Sequence, residues 1–157
     1  MEAVACDEDL RMLLDQAAID RLLKRYARAL DERDFDRLDD CFTPDAHLDY
    51  TCAGGIAGPY PQVKAWLAEV LPPIAEMQHF TTNVEVEIDG DRASGTSYTL
   101  NVNGMRMASE EVRHMIVGAQ YIDTFLRTPR GWRIASRREE RFTSFGHSFG
   151  PEDVVRS

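Results

Sequence analysis

Between residues 15 and 32 the apolar residues Ile19, Leu22, Leu23, Tyr26, Ala27 and Leu30 recur three and four positions apart. That repeat marks one face of an amphipathic helix. Leu10, Leu13 and Leu14 predict a lead-in turn or short helix ahead of it. Asp34 is placed to cap a second, short helix carrying Phe35, Leu38 and Phe42, which Pro44 stops after Thr43. Residues 46–51 alternate as a strand does. Gly54, Gly55 and Gly58 then break the chain before Pro61, which suits the first turn of a third helix bearing Val63, Trp66, Leu67, Val70 and Leu71. Pro72 and Pro73 end that helix.

Residues 74–78 read as one more helical segment, and after His79 the period changes from 3.6 to 2. Val84, Val86 and Ile88 alternate with Glu85 and Glu87, and Asp89-Gly90-Asp91 supplies a hairpin turn. Further strands are expected at about residues 93–103, 112–127 and 132–142, with Pro129-Arg130-Gly131 turning the chain between the last two. Helices first and long antiparallel strands afterwards predict an α+β fold, with the helices packed on one face of a curved sheet. A chain of 157 residues is expected to form one domain, with its core over residues 15–142. Residues 143–157, with Phe145, Phe149, Gly146 and Gly150, make a C-terminal arm. It lies either on the surface or a neighbouring subunit, or over a pocket mouth.

Apolar residues make up 43% of the chain and charged residues 29%, ordinary globular usage. Eighteen Lys and Arg against twenty-seven Asp and Glu leave a net charge of −9, which repels nucleic acid and anionic lipid. No run of eighteen apolar residues occurs and the first nine residues are acidic, so neither a membrane span nor a secretory leader is expected. A cytoplasmic protein is the expectation. Cys6, Cys41 and Cys52 are odd in number and lack CxxC spacing, which predicts free, mostly packed thiols.

Few residues stand out as candidates for chemistry. Asp31 sits in the last turn of the long helix, where the macrodipole disfavours a carboxylate by roughly 0.3–1 kcal/mol. Either it belongs to the solvated run Asp31-Glu32-Arg33-Asp34, or a partner elsewhere compensates it. Tyr26 lies about 140° around the helix from it, at the same end but not on the same face. His79, at the entry to the sheet, is either a packed, hydrogen-bonded residue or an acid–base group near neutral pH. An Asp31 carboxylate beside it would fix its tautomer. His114 and His147 are isolated, and His47 with Asp49 supplies only two of the three ligands a catalytic metal wants. No phosphate loop, dinucleotide fingerprint or serine-hydrolase elbow occurs. Neither a cofactor nor a metal is expected.

Several segments, in order, resemble the SnoaL-like branch of the nuclear transport factor 2 superfamily, which includes scytalone dehydratase, bile acid 7α-dehydratase and hexachlorocyclohexane dehydrochlorinase. They are Ala17-Ala18-Ile19, Tyr26 with Ala29-Leu30-Asp31, Phe42-Thr43-Pro44-Asp45-Ala46, His79-Phe80-Thr81-Thr82-Asn83, and Gly131-Trp132-Arg133-Ile134 leading to Arg137. The resemblance implies a cone-shaped, mostly antiparallel sheet wrapped around N-terminal helices. It also implies an Asp31–His79 dyad inside the cone, with Tyr26 and Tyr50 as hydrogen-bond donors and Arg137 as a further site residue. Arg137 has the opposite parity to Trp132 and Ile134 on the last strand. A pocket-facing Arg137 therefore requires those two to face the other way, or a bulge between them.

These readings predict a cofactor-independent lyase of dehydratase type acting on a small, ring-containing, largely apolar carbonyl compound. An isomerase or polyketide cyclase uses the same proton transfer without a leaving group. A non-catalytic assembly subunit, like the small chain of ring-hydroxylating dioxygenases, is the alternative of another class. The resemblance further implies a homo-oligomer, a trimer or dimer.

Overall fold

The computed structural model describes residues 2–107 and 110–146. Helix α1 (Glu2–Asp31) is followed by a 3-10 turn (Phe35–Asp40), strand β1 (Phe42–Asp49), a second 3-10 turn (Thr51–Ala53), strand β2 (Ala57–Pro59) and helix α2 (Tyr60–Val70). Four long strands complete the chain: β3 (Ile74–Asp89), β4 (Arg92–Arg106), β5 (Val112–Thr128) and β6 (Gly131–Gly146). They form one six-stranded sheet in the order β2-β1-β6-β5-β4-β3. Only the β1–β6 pairing is parallel. The expected α+β order, with helices packed on one face of a curved, mostly antiparallel sheet, is what the chain forms.

The lead-in expected at Leu10, Leu13 and Leu14 is instead the first half of α1, one continuous helix of 30 residues. No Gly or Pro separates Leu14 from Ile19, and Ala17-Ala18 favours propagation. Those leucines remain more than half exposed, whereas Ile19, Leu22, Leu23, Tyr26 and Leu30 are buried against the sheet. The helix closes with Arg33 in the left-handed region (φ 54°). The Asp34 N–H bonds the Ala29 carbonyl and the Arg33 N–H that of Leu30, the pattern of a Schellman cap. Asp31 is thereby the last fully helical residue.

Asp34 does cap the following turn, accepting from the Arg37 N–H at 3.2 Å. That turn ends at Asp40, and Phe42 opens β1 instead of closing a helix. Pro44, expected to stop a helix, sits within the strand. The β1–β6 register jumps between Phe42 and His47, so its missing N–H falls where the ladder is already interrupted. Residues 74–78 are likewise strand, not helix: Met77 is buried, and Ile74 to Gln78 run antiparallel to Met105 to Val102. Cross-strand pairing overrides the local helical preference of Ala75-Glu76-Met77-Gln78. His79 therefore lies within a long strand, away from any helix junction.

The ladders shift register at five places, among them one in the middle of β3 and one near the start of β6. In β3, Asn83 and Val84 together oppose Ser97, with Asn83 at φ 49°. In β6, Ala135 is the extra residue between the pairs Phe125–Ile134 and Thr124–Ser136. The hairpin turns at Gly90 (φ 56°) and Gly131 (φ 92°) fall where expected. Of the C-terminal arm, Thr143 to Gly146 continue β6; Phe149 and Gly150 lie outside the described residues.

Candidate active site

The compensation Asp31 needs at its helix end comes from β3. Its Oδ1 lies 2.7 Å from His79 Nδ1, and the His79 main-chain N–H is 3.1 Å from both carboxylate oxygens. A carboxylate accepts, so Nδ1 is the donor, and in the neutral imidazole the lone pair is then on Nε2. Asp31 stands on the outer side, in a surface recess shared with Lys24, Arg28 and Thr81. His79 belongs both to that recess and to an inner cavity of about 170 Å³.

The inner cavity, open to solvent beside Ala53 and Gly54, is lined by Tyr26 and Leu30 of α1, Tyr50 and Gly55, Trp66 and Leu67 of α2, and His79, Tyr121 and Glu139 from the sheet. Tyr26 and Tyr50 hydroxyls meet at 2.9 Å. The helix separation of Tyr26 and Asp31 thus has a use: one reaches the cavity directly and the other stands behind His79. Gly55 permits the wall to close, since a Cβ there would come within 2.8 Å of the Trp66 ring and 2.9 Å of the Tyr50 carbonyl. Burial pushes the phenols of Tyr26, Tyr50 and Tyr121 above their ordinary range, and the Arg137 charge draws each back in part.

The bulge at Ala135 settles the parity of Arg137. One extra residue returns Arg137 to the face that carries Trp132 and Ile134. Its Nε and Nη2 donate to Asp123 at 2.8 and 2.6 Å. Its guanidinium carbon is 4.3 Å from the Tyr26 ring centroid and 4.1 Å from that of Tyr121. Burial lowers the Arg137 pKa and Asp123 raises it; the carboxylate prevails and the group stays charged. Arg137 is not among the side chains that border the cavity. It acts on the tyrosines from behind, with its Nη1 buried and lacking a partner among the described residues.

Tyr121, Glu139 and Trp66, which border the cavity, and Asp123, which holds Arg137, were not singled out as candidates by sequence reasoning. Period-2 counting places Tyr121 and Asp123 on one face of β5, and reaches Glu139 on β6 once the bulge is known, since Arg137 and Glu139 lie opposite Asp123 and Tyr121; Trp66 belongs to α2. Among the described residues no donor reaches the Glu139 carboxyl, and burial, tempered by Arg137, pushes its pKa up to about 7. Of the His47–Asp49 pair, Asp49 accepts from the Thr51 N–H and hydroxyl at 2.9 and 2.6 Å on its Oδ1. Of the cysteines, Cys41 is packed and Cys52 exposed. Among the described residues no helix is long and apolar enough to cross a membrane.

A curved sheet closed by helices over an aromatic cavity, with a carboxylate-backed histidine in its wall, defines a class of small α+β roll with an internal ligand site. The sequence assigns the chain within that class: residues 11–138 match the model of the SnoaL-like domain, and the chain belongs to that family. It is 43% identical over 127 residues to an uncharacterised protein of Mycobacterium tuberculosis H37Rv, covering 81% of this chain and 85% of that one. Among solved structures it is similar to a type 2 hexachlorocyclohexane dehydrochlorinase (TM-score 0.73, 26% identity, 91% of this chain and 97% of that one). A candidate scytalone dehydratase of Novosphingobium aromaticivorans shares the fold (TM-score 0.75, 20% identity, 88% and 91% covered).

Proposed function

We propose that this protein is a lyase that eliminates water from a small, ring-containing carbonyl compound. The observation that carries the reading is the convergence of His79, backed by Asp31, and the Tyr26–Tyr50 hydroxyl pair on one cavity walled by Trp66, Leu67 and Tyr121. His79 Nε2 takes a proton from the carbon beside the carbonyl. The electron pair moves onto the carbonyl oxygen, where the Tyr26 and Tyr50 hydroxyls donate to it. The carbonyl re-forms as a carbon–carbon double bond develops, and the neighbouring carbon–oxygen bond breaks with its pair on the departing oxygen. Arg137 assists at one remove, its charge favouring negative charge on the phenol oxygens.

The cavity volume is below the roughly 300–1,000 Å³ of sites for drug-sized ligands, which favours a compact substrate. Similarity to a hexachlorocyclohexane dehydrochlorinase, whose name describes elimination from a ring, supports the same reaction class. The test is to incubate the protein with cyclic 3-hydroxyketones in D2O, following exchange at the α-carbon by NMR and enone formation by absorbance. His79→Ala is expected to lower both by about 10²–10⁴-fold. Wild-type protein that neither exchanges nor dehydrates any member of the panel overturns the reading.

A further inference from the structure

Glu139 is a carboxyl group that no hydrogen bond or ion pair among the described residues holds in place. It is 7% exposed, borders the inner cavity and has no hydrogen-bond partner among the described residues. Its neighbour Arg137 places two nitrogens on Asp123 and its faces against Tyr26 and Tyr121, and its third nitrogen, Nη1, does not bond Glu139. An ionised carboxylate in such a place costs several kcal/mol unless paired. Structural carboxylates in this chain look different: Asp15 and Asp123 are each gripped by a bidentate arginine.

We propose that Glu139 is a second catalytic group of this cavity, the general acid that protonates the departing oxygen while His79 acts as base. The inference rests on the elimination reading above. His79 and Glu139 come from β3 and β6, three strands apart in the sheet, so they approach the cavity from different sides and an occupant filling it borders both. The carbon–hydrogen pair becomes the double bond, and the carbon–oxygen pair leaves on the oxygen. That oxygen takes the Glu139 proton and departs as water. The products are the unsaturated ketone, water, an imidazolium at His79 and a carboxylate at Glu139; proton transfer from the one to the other through solvent restores the start.

The groups facing Glu139 suit this role. Tyr121 on β5, Tyr26 on α1 and Tyr50 after β1 are neutral phenols, and the α2 residues at the cavity, Trp66 and Leu67, do not titrate. Arg137 on its own strand is the nearby cation, shared with Asp123, and His79 lies across the cavity. Burial with only this partial compensation holds the group protonated up to about pH 7, the range in which a general acid works best at neutral pH.

Two measurements on the full chain test the proposal. Glutamate labelled with carbon-13 at the side-chain carboxyl gives a resonance for Glu139, identified by its loss in Glu139→Gln. It should titrate near pH 7, and titration in the ordinary carboxyl range overturns the proposal. Elimination is then compared for cyclic 3-hydroxyketones and the matching 3-fluoroketones, since fluoride departs with far less help from an acid than water does. Glu139→Gln should lose at least about 100-fold on the hydroxyketones and much less on the fluoroketones, with α-carbon exchange persisting. His79→Ala should lose both reactions and the exchange. An equal loss on both classes, or none, overturns the role of Glu139 alone; failure of the wild type on both classes overturns the elimination reading beneath it.

Discussion

Asp31 holds His79 at two points, the imidazole Nδ1 at 2.7 Å and the main-chain N–H at 3.1 Å. The second contact ties strand β3 to the end of α1 whatever the state of the ring. The helix end therefore positions the imidazole and the backbone that carries it as one unit.

Asp31→Asn should preserve the fold and lower turnover, because an amide still accepts a hydrogen bond but brings no charge to face the imidazolium formed on proton transfer. His79→Ala should lose about 10²–10⁴-fold, and adding Asp31→Asn should cost little more, since residues acting as one unit are non-additive. Rate measurements on the two single variants and the double variant decide it. Wild-type rates for both single variants would return Asp31 to an ordinary helix-end carboxylate.

The Tyr26–Tyr50 contact sets a second expectation. Either residue changed to Phe leaves the other hydroxyl without its 2.9 Å partner, at a cost of about 1 kcal/mol of stability. Turnover should fall about 10–10³-fold as one oxyanion donor is lost. Because the hydroxyls share one hydrogen bond, the double variant should lose less stability than the two single losses added together. Urea unfolding monitored by tryptophan fluorescence reads the stability side.

Periodicity made most of this fold legible: the amphipathic face of α1, the short helical segment after Asp34, helix α2 and most of each of the four long strands follow from apolar spacing. What it missed has identifiable causes. The segment 74–78 has helical propensity and is held as strand by pairing with β4, a partner almost thirty residues away. Phe42 sits in β1 by pairing with Ile134 of β6, and Pro44 is tolerated there because the ladder is interrupted between Phe42 and His47. At the site, Asp31, His79, Tyr26 and Tyr50 were reachable through their segments and the resemblance they support. Glu139 was not, because its facing depends on the Ala135 bulge and alternation cannot locate an extra residue; Tyr121 alternates regularly with Ala119, Asp123 and Phe125 on β5, but regular alternation marks a core position as readily as a site.

Asp15 supplies an acid-stability prediction. Its carboxylate takes two bonds from Arg127, at 2.7 and 2.6 Å, and one from Trp132 Nε1 at 3.0 Å, joining α1 to the β5–β6 hairpin. The Arg127 bonds chiefly hold its pKa below the ordinary 3.8, against the opposing effect of burial. A carboxyl whose folded value is depressed stabilises fully above its unfolded value, and this contribution disappears as pH falls through the folded one. Asp15→Asn should therefore lower the melting temperature at pH 7, and the gap from wild type should narrow steadily below about pH 4. A gap independent of pH would show that the contact is worth only its packing.

Arg137 and Asp123 form the most deeply buried ion pair among the described residues, with side chains 1% and 2% exposed. Removing one partner strands the other charge, so Asp123→Ala should destabilise the protein by about 3–5 kcal/mol. Arg137→Met, which keeps much of the stacking volume between Tyr26 and Tyr121, leaves Asp123 unpaired and should cost a similar amount. The double change to Met and Ala should be milder than the two single losses combined. Denaturant midpoints for the three variants test this directly.

The convex side of the sheet carries the last prediction. Phe80 and Leu100 are directly paired across β3 and β4, and Tyr98 lies two residues along the same face. All three are exposed, by 51%, 43% and 39%, and Phe145, paired with Ile116 at the far side, is exposed by 63%. A lone chain gains nothing by presenting these rings and aliphatic groups in one area, and contiguous apolar patches of this kind mark association surfaces. The chain should therefore form a closed homo-oligomer, a dimer or trimer, through this face. Light scattering coupled to size exclusion should give a multiple of 17.8 kDa at micromolar concentration. Leu100→Glu places a charge at the centre of the patch without touching the cavity wall, and should shift the mass towards that of one chain. A wild-type mass of one chain, or a Leu100→Glu mass equal to an oligomeric wild type, would refute this assignment of the convex face.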